Sequence, residues 1–125
     1  SISFVNVDAT DLSLTITTTG GDILIGFAGC VQQGGNGVHF DVTLDGVRIG
    51  GDDGILRGGG PTGGAPTVRT ANASFVYLLR GVSAGSHTLN LQWRIVSGSG
   101  TATMYAGAGT SGSDLHPQFW VREVS

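Results

Sequence analysis

The sequence predicts an all-β domain, an antiparallel β-sandwich or jelly roll of eight or nine strands. Three observations predict it. Apolar and polar residues alternate in short runs, glycine-rich turns separate those runs, and no stretch of ten or more residues carries a 3.6-residue apolar stripe. Alternation sends successive side chains to opposite faces of a strand, so one face is buried and the other solvated.

The first run spans 2–7. In 12–18, Leu12, Leu14 and Ile16 share one face and Ser13, Thr15 and Thr17 the other. The run 23–31 follows, then 38–44 with Phe40, Val42 and Leu44 on one face. Asp45-Gly46 separates it from 47–50 and reads as a type I′ hairpin, whose turn needs positive φ. Ser83-Ala84-Gly85-Ser86 joins 73–80 to 88–96 and reads as another hairpin turn. In 88–96, Leu89, Leu91, Trp93 and Ile95 oppose Asn90, Gln92 and Arg94. Ser97-Gly98-Ser99-Gly100 leads to 101–106, where Ala102 and Met104 alternate with Thr103 and Tyr105. The last strand, 118–124, starts after Pro117, where a missing N–H does no harm.

One connection breaks this rhythm. In the loop 50–70, eight of the fifteen residues 50–64 are Gly, and Pro61 and Pro66 add two breakers. A loop this long in a compact domain is functional, disordered or held by a partner.

Length and composition agree with one domain, 1–125, around one core. The 23 glycines alone would suggest low complexity, but 39% of residues are hydrophobic and fall in marked runs without a Gly-X-Y period. The net charge is −3, and all six basic residues are Arg, set against nine acidic ones. That is no footprint for phosphate, so no nucleic-acid partner is expected. No apolar run approaches the roughly 20 residues that span a bilayer, so no membrane insertion is expected. The chain opens on Ser1 without a signal- or transit-peptide pattern, the start expected of a processed chain or of a piece of a longer one.

Three runs are apolar on both faces: Ile23-Leu24-Ile25-Gly26-Phe27-Ala28, Phe75-Val76-Tyr77-Leu78-Leu79 and Phe119-Trp120-Val121. A two-sheet sandwich buries one face of each sheet, so the second apolar face needs a cover. Either the glycine-rich loop or a neighbouring subunit supplies it, and the subunit is the expectation. Phe27, Tyr77, Phe119, Trp120 and Val121 are the candidate interface residues. Trp120 also suits sugar stacking, and Tyr105, Asp52 and Asp53 complete the candidate ligand-binding set.

The motifs that resemble chemistry have plainer readings. Gly81-Val82-Ser83-Ala84-Gly85 matches the G-x-S-x-G nucleophile elbow, but a strand follows it instead of a helix, and Asp114 and His116 are merely the later acid and base. The run 107–112 matches G-x-G-x-x-G without the helix a dinucleotide site requires. Asp8, Asp11, Asp22, Asp52 and Asp53 could offer oxygens to calcium, with Asp52-Asp53-Gly54 the best placed, yet no EF-hand spacing appears. His39, His87 and His116 are too scattered for zinc. No cofactor and no catalytic residue is expected. Cys30, the only cysteine, is expected as a buried free thiol. Asn72-Ala73-Ser74 is a glycosylation sequon only in a eukaryotic secretory pathway, and His116-Pro117-Gln118 reads as the entry to a strand.

The C-terminal part carries a family likeness. The stretch Gly81-Val82-Ser83-Ala84-Gly85-Ser86-His87-Thr88-Leu89-Asn90-Leu91-Gln92-Trp93-Arg94, the Gly/Ser turn, Thr101-Ala102-Thr103 and the final Phe119-Trp120-Val121-Arg122-Glu123-Val124 resemble C1q/TNF-like jelly-roll domains. The likeness is to the bacterial and phage type found in virion surface proteins and fibre tips. It covers 73–125, with 38–49 a looser match, and the N-terminal half lacks the Gly-x-Tyr-x-Phe strand of C1q heads. The resemblance implies a homotrimer that binds or displays and does not catalyse. It implies a virion-surface or extracellular location and contact with a capsid or fibre protein of the same particle. A phage decoration, turret or fibre-tip protein is the concrete form. A carbohydrate- or receptor-binding module for surface glycans is the competing expectation.

Overall fold

A computed structural model describes residues 3–33, 37–58, 69–95, 101–106 and 115–125. Ten strands follow in order: β1 (Val5–Asn6), β2 (Ser13–Thr18), β3 (Gly21–Gln33), β4 (Val38–Leu44), β5 (Val47–Arg48), β6 (Leu56–Gly58), β7 (Arg69–Val82), β8 (Gly85–Ile95), β9 (Ala102–Met104) and β10 (Gln118–Glu123). The described residues contain no helix, and the strands pair antiparallel in two sheets. In the six-stranded sheet β8 and β4 are central, with β1 and β2 along the free side of β8 and β5 and β6 along that of β4. In the four-stranded sheet β3 is central, between β7 on one side and β9 and β10 on the other. The domain is the all-β, jelly-roll-like sandwich that the alternation predicts.

The core forms where the inner faces meet. Ile23, Ile25 and Phe27 of β3 lie against Phe40 and Val42 of β4 and Leu89 and Leu91 of β8, all at most 2% exposed. Phe27 ties the layers together, with its ring centroid 5.3 Å from Phe40 and 5.7 Å from Phe75 in tilted geometry. Leu14 and Ile16 of β2, Ala102 and Met104 of β9, and Trp93 pack around this centre on the faces that alternation assigns them.

The structure differs from expectation in the connections. Asp45 and Gly46 have φ of 51° and 86°, as a type I′ turn requires. The Ser83–Ser86 segment, by contrast, is not a hairpin, because β7 and β8 lie in different sheets. Period two reports which residues share a face, and it is silent on whether consecutive strands pair. The described part of the glycine-rich segment, 50–58, carries more regular pairing than its composition suggests. Gly51 and Gly54 exchange two backbone hydrogen bonds around Asp52-Asp53, Ile55 donates to Phe40 O (2.7 Å), and β6 pairs with β4. A three-residue strand among glycines is too short for alternation to reveal. Residues 59–68, the turn 97–100, the run 107–112 and Asp114 lie outside the described residues.

The outer face of the six-stranded sheet is polar and internally paired. Asp41 is fully buried there, accepting hydrogen bonds from Arg48 Nη1 (2.7 Å) and the Gly50 N–H (3.0 Å). The guanidiniums of Arg48 and Arg94 both stack on the Phe4 ring, 4.3 and 4.9 Å from its centroid. Arg94 also donates to Asp53 (2.6 Å) and to His39 Nδ1 (3.2 Å). Burial, followed by the charge of Arg94, holds His39 below the ordinary imidazole pKa, which suits its role as acceptor. Replacing Asp41 by Ala takes the carboxylate away from the Arg48 guanidinium and leaves the Gly50 N–H without its acceptor. We expect Asp41→Ala to cost about 2–3 kcal/mol in urea denaturation, and a loss below about 0.5 kcal/mol would contradict this pairing.

Candidate functional site

All three doubly apolar runs lie side by side in the four-stranded sheet. Phe119 pairs with Phe27 and Phe27 with Phe75, and the next inward row is Val121, Ile25 and Tyr77. The rows between them face outward: Gln118, Ala28 and Ser74, then Trp120, Gly26 and Val76, then Arg122, Leu24 and Leu78. The inner face makes the core, and the outer face is an apolar surface in its own right.

Val76 is 65% exposed, Leu78 40% and Trp120 39%, and they occupy two adjacent cross-strand rows. The Trp120 indole lies flat across β3 on Gly26, where any Cβ would fall 2.0–2.4 Å from the indole atoms Cε2, Cζ2 and Nε1. Gly26 is therefore buried on an outward face, and one face of the indole is packed. The lower rim carries Arg122 and Arg80, the latter only 4.0 Å from Asp22 and 78% exposed. Asn72, with its sequon, is exposed on the same face of β7.

Of the five interface candidates, Trp120 faces outward. Phe27 is buried, Phe119 and Val121 pack on the core, and Tyr77 turns inward with its hydroxyl 3.5 Å from Ile49 O. Leu24, Val76 and Leu78 make up the outer surface in their place. Their signal was present as the odd–even partners of the chosen residues, but in a run apolar throughout parity alone does not say which set is inside. Cys30 shares the outward parity of Gly26 and Ala28 and is half-buried, not enclosed as expected.

The four ligand-binding candidates do not converge. Tyr105 continues β9 and donates its N–H to Cys30 O (3.0 Å), four residues along β3 from the Trp120 row, or about 13 Å. Asp52 and Asp53 belong to the other sheet, and Asp53 is engaged by Arg94. The remaining carboxylates are equally dispersed. Asp8 accepts the N–H groups of Asp11 and Thr10, which hold its carboxyl below the usual range, and Asp22 accepts that of Gly81. Among the described residues no three His, Cys, Asp or Glu side chains are grouped to hold a metal ion.

The serine of the elbow motif does meet a histidine and an acid, but they are His87 and Asp45, not the His116 and Asp114 that the motif would call on. His87 Nδ1 is 2.6 Å from Asp45 Oδ2, and its Nε2 is 3.5 Å from Ser83 Oγ. The same Nε2 is 2.7 Å from the main-chain oxygen of Ser83. A general base must present a lone pair to the hydroxyl, whereas a nitrogen bonded to a carbonyl oxygen must carry a proton. Asp45 and then the Ser83 carbonyl accordingly raise the His87 pKa, while the Thr88 N–H and then His87 lower that of Asp45. This geometry is that of a structural tie.

No family model matches the chain, and no curated protein or solved structure matches it. Among the described residues, the outer face of β3, β7 and β10 is the candidate functional surface. A methyl on Gly26 would displace the indole from the sheet. In a Trp93→Phe background, Gly26→Ala should red-shift Trp120 emission and lower the melting temperature, and unchanged emission would contradict the stacked geometry.

Proposed function

We propose that this chain is a non-enzymatic structural and assembly module that forms a homotrimer through the outer face of its four-stranded sheet. The observation that carries the reading is that face itself, with Val76, Leu78 and Trp120 exposed in adjacent rows over Leu24 and Gly26. Burying such a side chain fully is worth about 1.5–3 kcal/mol relative to exposure. A contiguous apolar surface on a small domain is a mark of association. Low charge supports the same reading, since 12% charged residues leave few groups to oppose contact between copies.

The threefold count and the setting rest on the resemblance to C1q/TNF-like domains of the phage and bacterial type. On that basis the module sits on a virion or extracellular surface, as a decoration, turret or fibre-tip protein does. Its glycine-rich segment is then the natural contact for a capsid or fibre protein of the same particle.

A second reading is favoured by one feature. The Trp120 indole is flat on the sheet and 39% exposed, flanked by Gln118 and Arg122, an arrangement suited to stacking on a sugar ring. Light scattering separates the two readings. The homotrimer should weigh about three times 12.7 kDa, and Val76→Glu with Leu78→Glu should reduce it to monomer with an unchanged far-ultraviolet spectrum. A wild-type monomer that retains glycans on an array, with or without calcium, would overturn the assembly reading in favour of the second.

A further inference from the structure

At one end of the sandwich the β4–β5 turn, the β7–β8 connection and the last residue of β2 meet around the His87 ring, whose side chain is 9% exposed. Its two nitrogens face Asp45 Oδ2 at 2.6 Å and Ser83 O at 2.7 Å. Neither partner has a hydrogen to offer, and only the imidazolium carries two N–H donors. Thr18 Oγ1 donates to the same Ser83 carbonyl (2.7 Å), and Asp45 Oδ1 accepts the Thr88 N–H (2.9 Å). The charged group facing the ring is Asp45 from the turn; Arg80 of β7 lies on the rim of the same cavity, 78% exposed and 4.0 Å from Asp22. From β2 the ring meets Thr18 and its register partner Ile16, both uncharged. Beside it opens a cavity of about 340 Å³, walled by Leu44, Val47, Ile49, Leu79 and Val82.

We propose that His87 is a proton-operated clasp that fastens the β7–β8 connection to the β4–β5 turn and so holds the wall of this cavity in place. In the charged state both N–H bonds are made. When the ring loses a proton, the charge-assisted bond to Asp45 keeps Nδ1–H. Nε2 then turns a lone pair on the Ser83 carbonyl oxygen, and two acceptors at that distance repel. Ser83 Oγ, already at 3.5 Å, is the donor that can replace the lost bond once the carbonyl moves aside with Thr18. The clasp thus has two hydrogen-bonded states, carbonyl-to-imidazolium and hydroxyl-to-imidazole.

The sign follows from the raised His87 pKa. The stabilisation is complete below the unfolded imidazole value of about 6.5 and is lost as pH rises through the higher folded value. Ring and amide NMR across pH 5–9 tests it on the intact chain. His87 should titrate above the ordinary imidazole value, and hydrogen exchange at 84–86, corrected for base catalysis, should quicken as it does so while Leu91 stays protected. Asp45→Asn should lower the His87 pKa. Ser83→Ala, which removes the donor of the neutral state, should raise it further. A His87 pKa at or below the ordinary value, or one unmoved by Ser83→Ala, would overturn the clasp whether or not the chain forms trimers.

Discussion

A two-layer sandwich covers one face of each sheet, and in this chain one sheet is apolar on both. Everything distinctive about the molecule depends on that mismatch. The inner rows of β3, β7 and β10 build the core through Phe27, Ile25 and Phe75, and the same strands expose Val76, Leu78 and Trp120 on the other side. Gly26 is the local expression of the constraint. Its missing Cβ lets the Trp120 indole lie flat on the sheet, so the outer face is smooth as well as apolar.

The six-stranded sheet resolves the same problem in the opposite way. Its outward residues are His39, Asp41, Arg48 and Arg94, and they satisfy one another and the Phe4 ring without an outside partner. The glycine-rich segment contributes to that closure through Gly50, Gly51 and Asp53. Among the described residues, one outer face of the sandwich is closed by its own chain, and the other keeps Val76, Leu78 and Trp120 exposed. A functional reading belongs on the exposed apolar face, because a surface whose polar groups are already paired has less to gain from a partner.

The Ser83, His87 and Asp45 group shows how architecture can be mistaken for chemistry. The residue types and two of the distances match a nucleophile, a base and an orienting acid. The direction of one proton reverses the meaning, because Nε2 donates to a carbonyl and has no lone pair free for the hydroxyl. What remains is a tie between two connections that sequence places 42 residues apart at Asp45 and His87.

The fold class was legible because alternation is a property of each strand alone. Val38–Leu44 and the inward sets of β2 and β8 can be read from their own residues. Pairing was not legible, since the connection after Val82 crosses between sheets and β6 hides among glycines. The candidate site was legible in part: the three doubly apolar runs stand out in the sequence, yet which face of each turns outward does not. The sequence by itself determined that the domain is a β-sandwich with more apolar strand surface than two layers can enclose. Only the tertiary structure decided that this surplus is gathered on one sheet and that Leu24, Val76 and Leu78 join Trp120 there. The reason is that parity is local, whereas the choice between two equally apolar faces is made by what the opposing sheet presents.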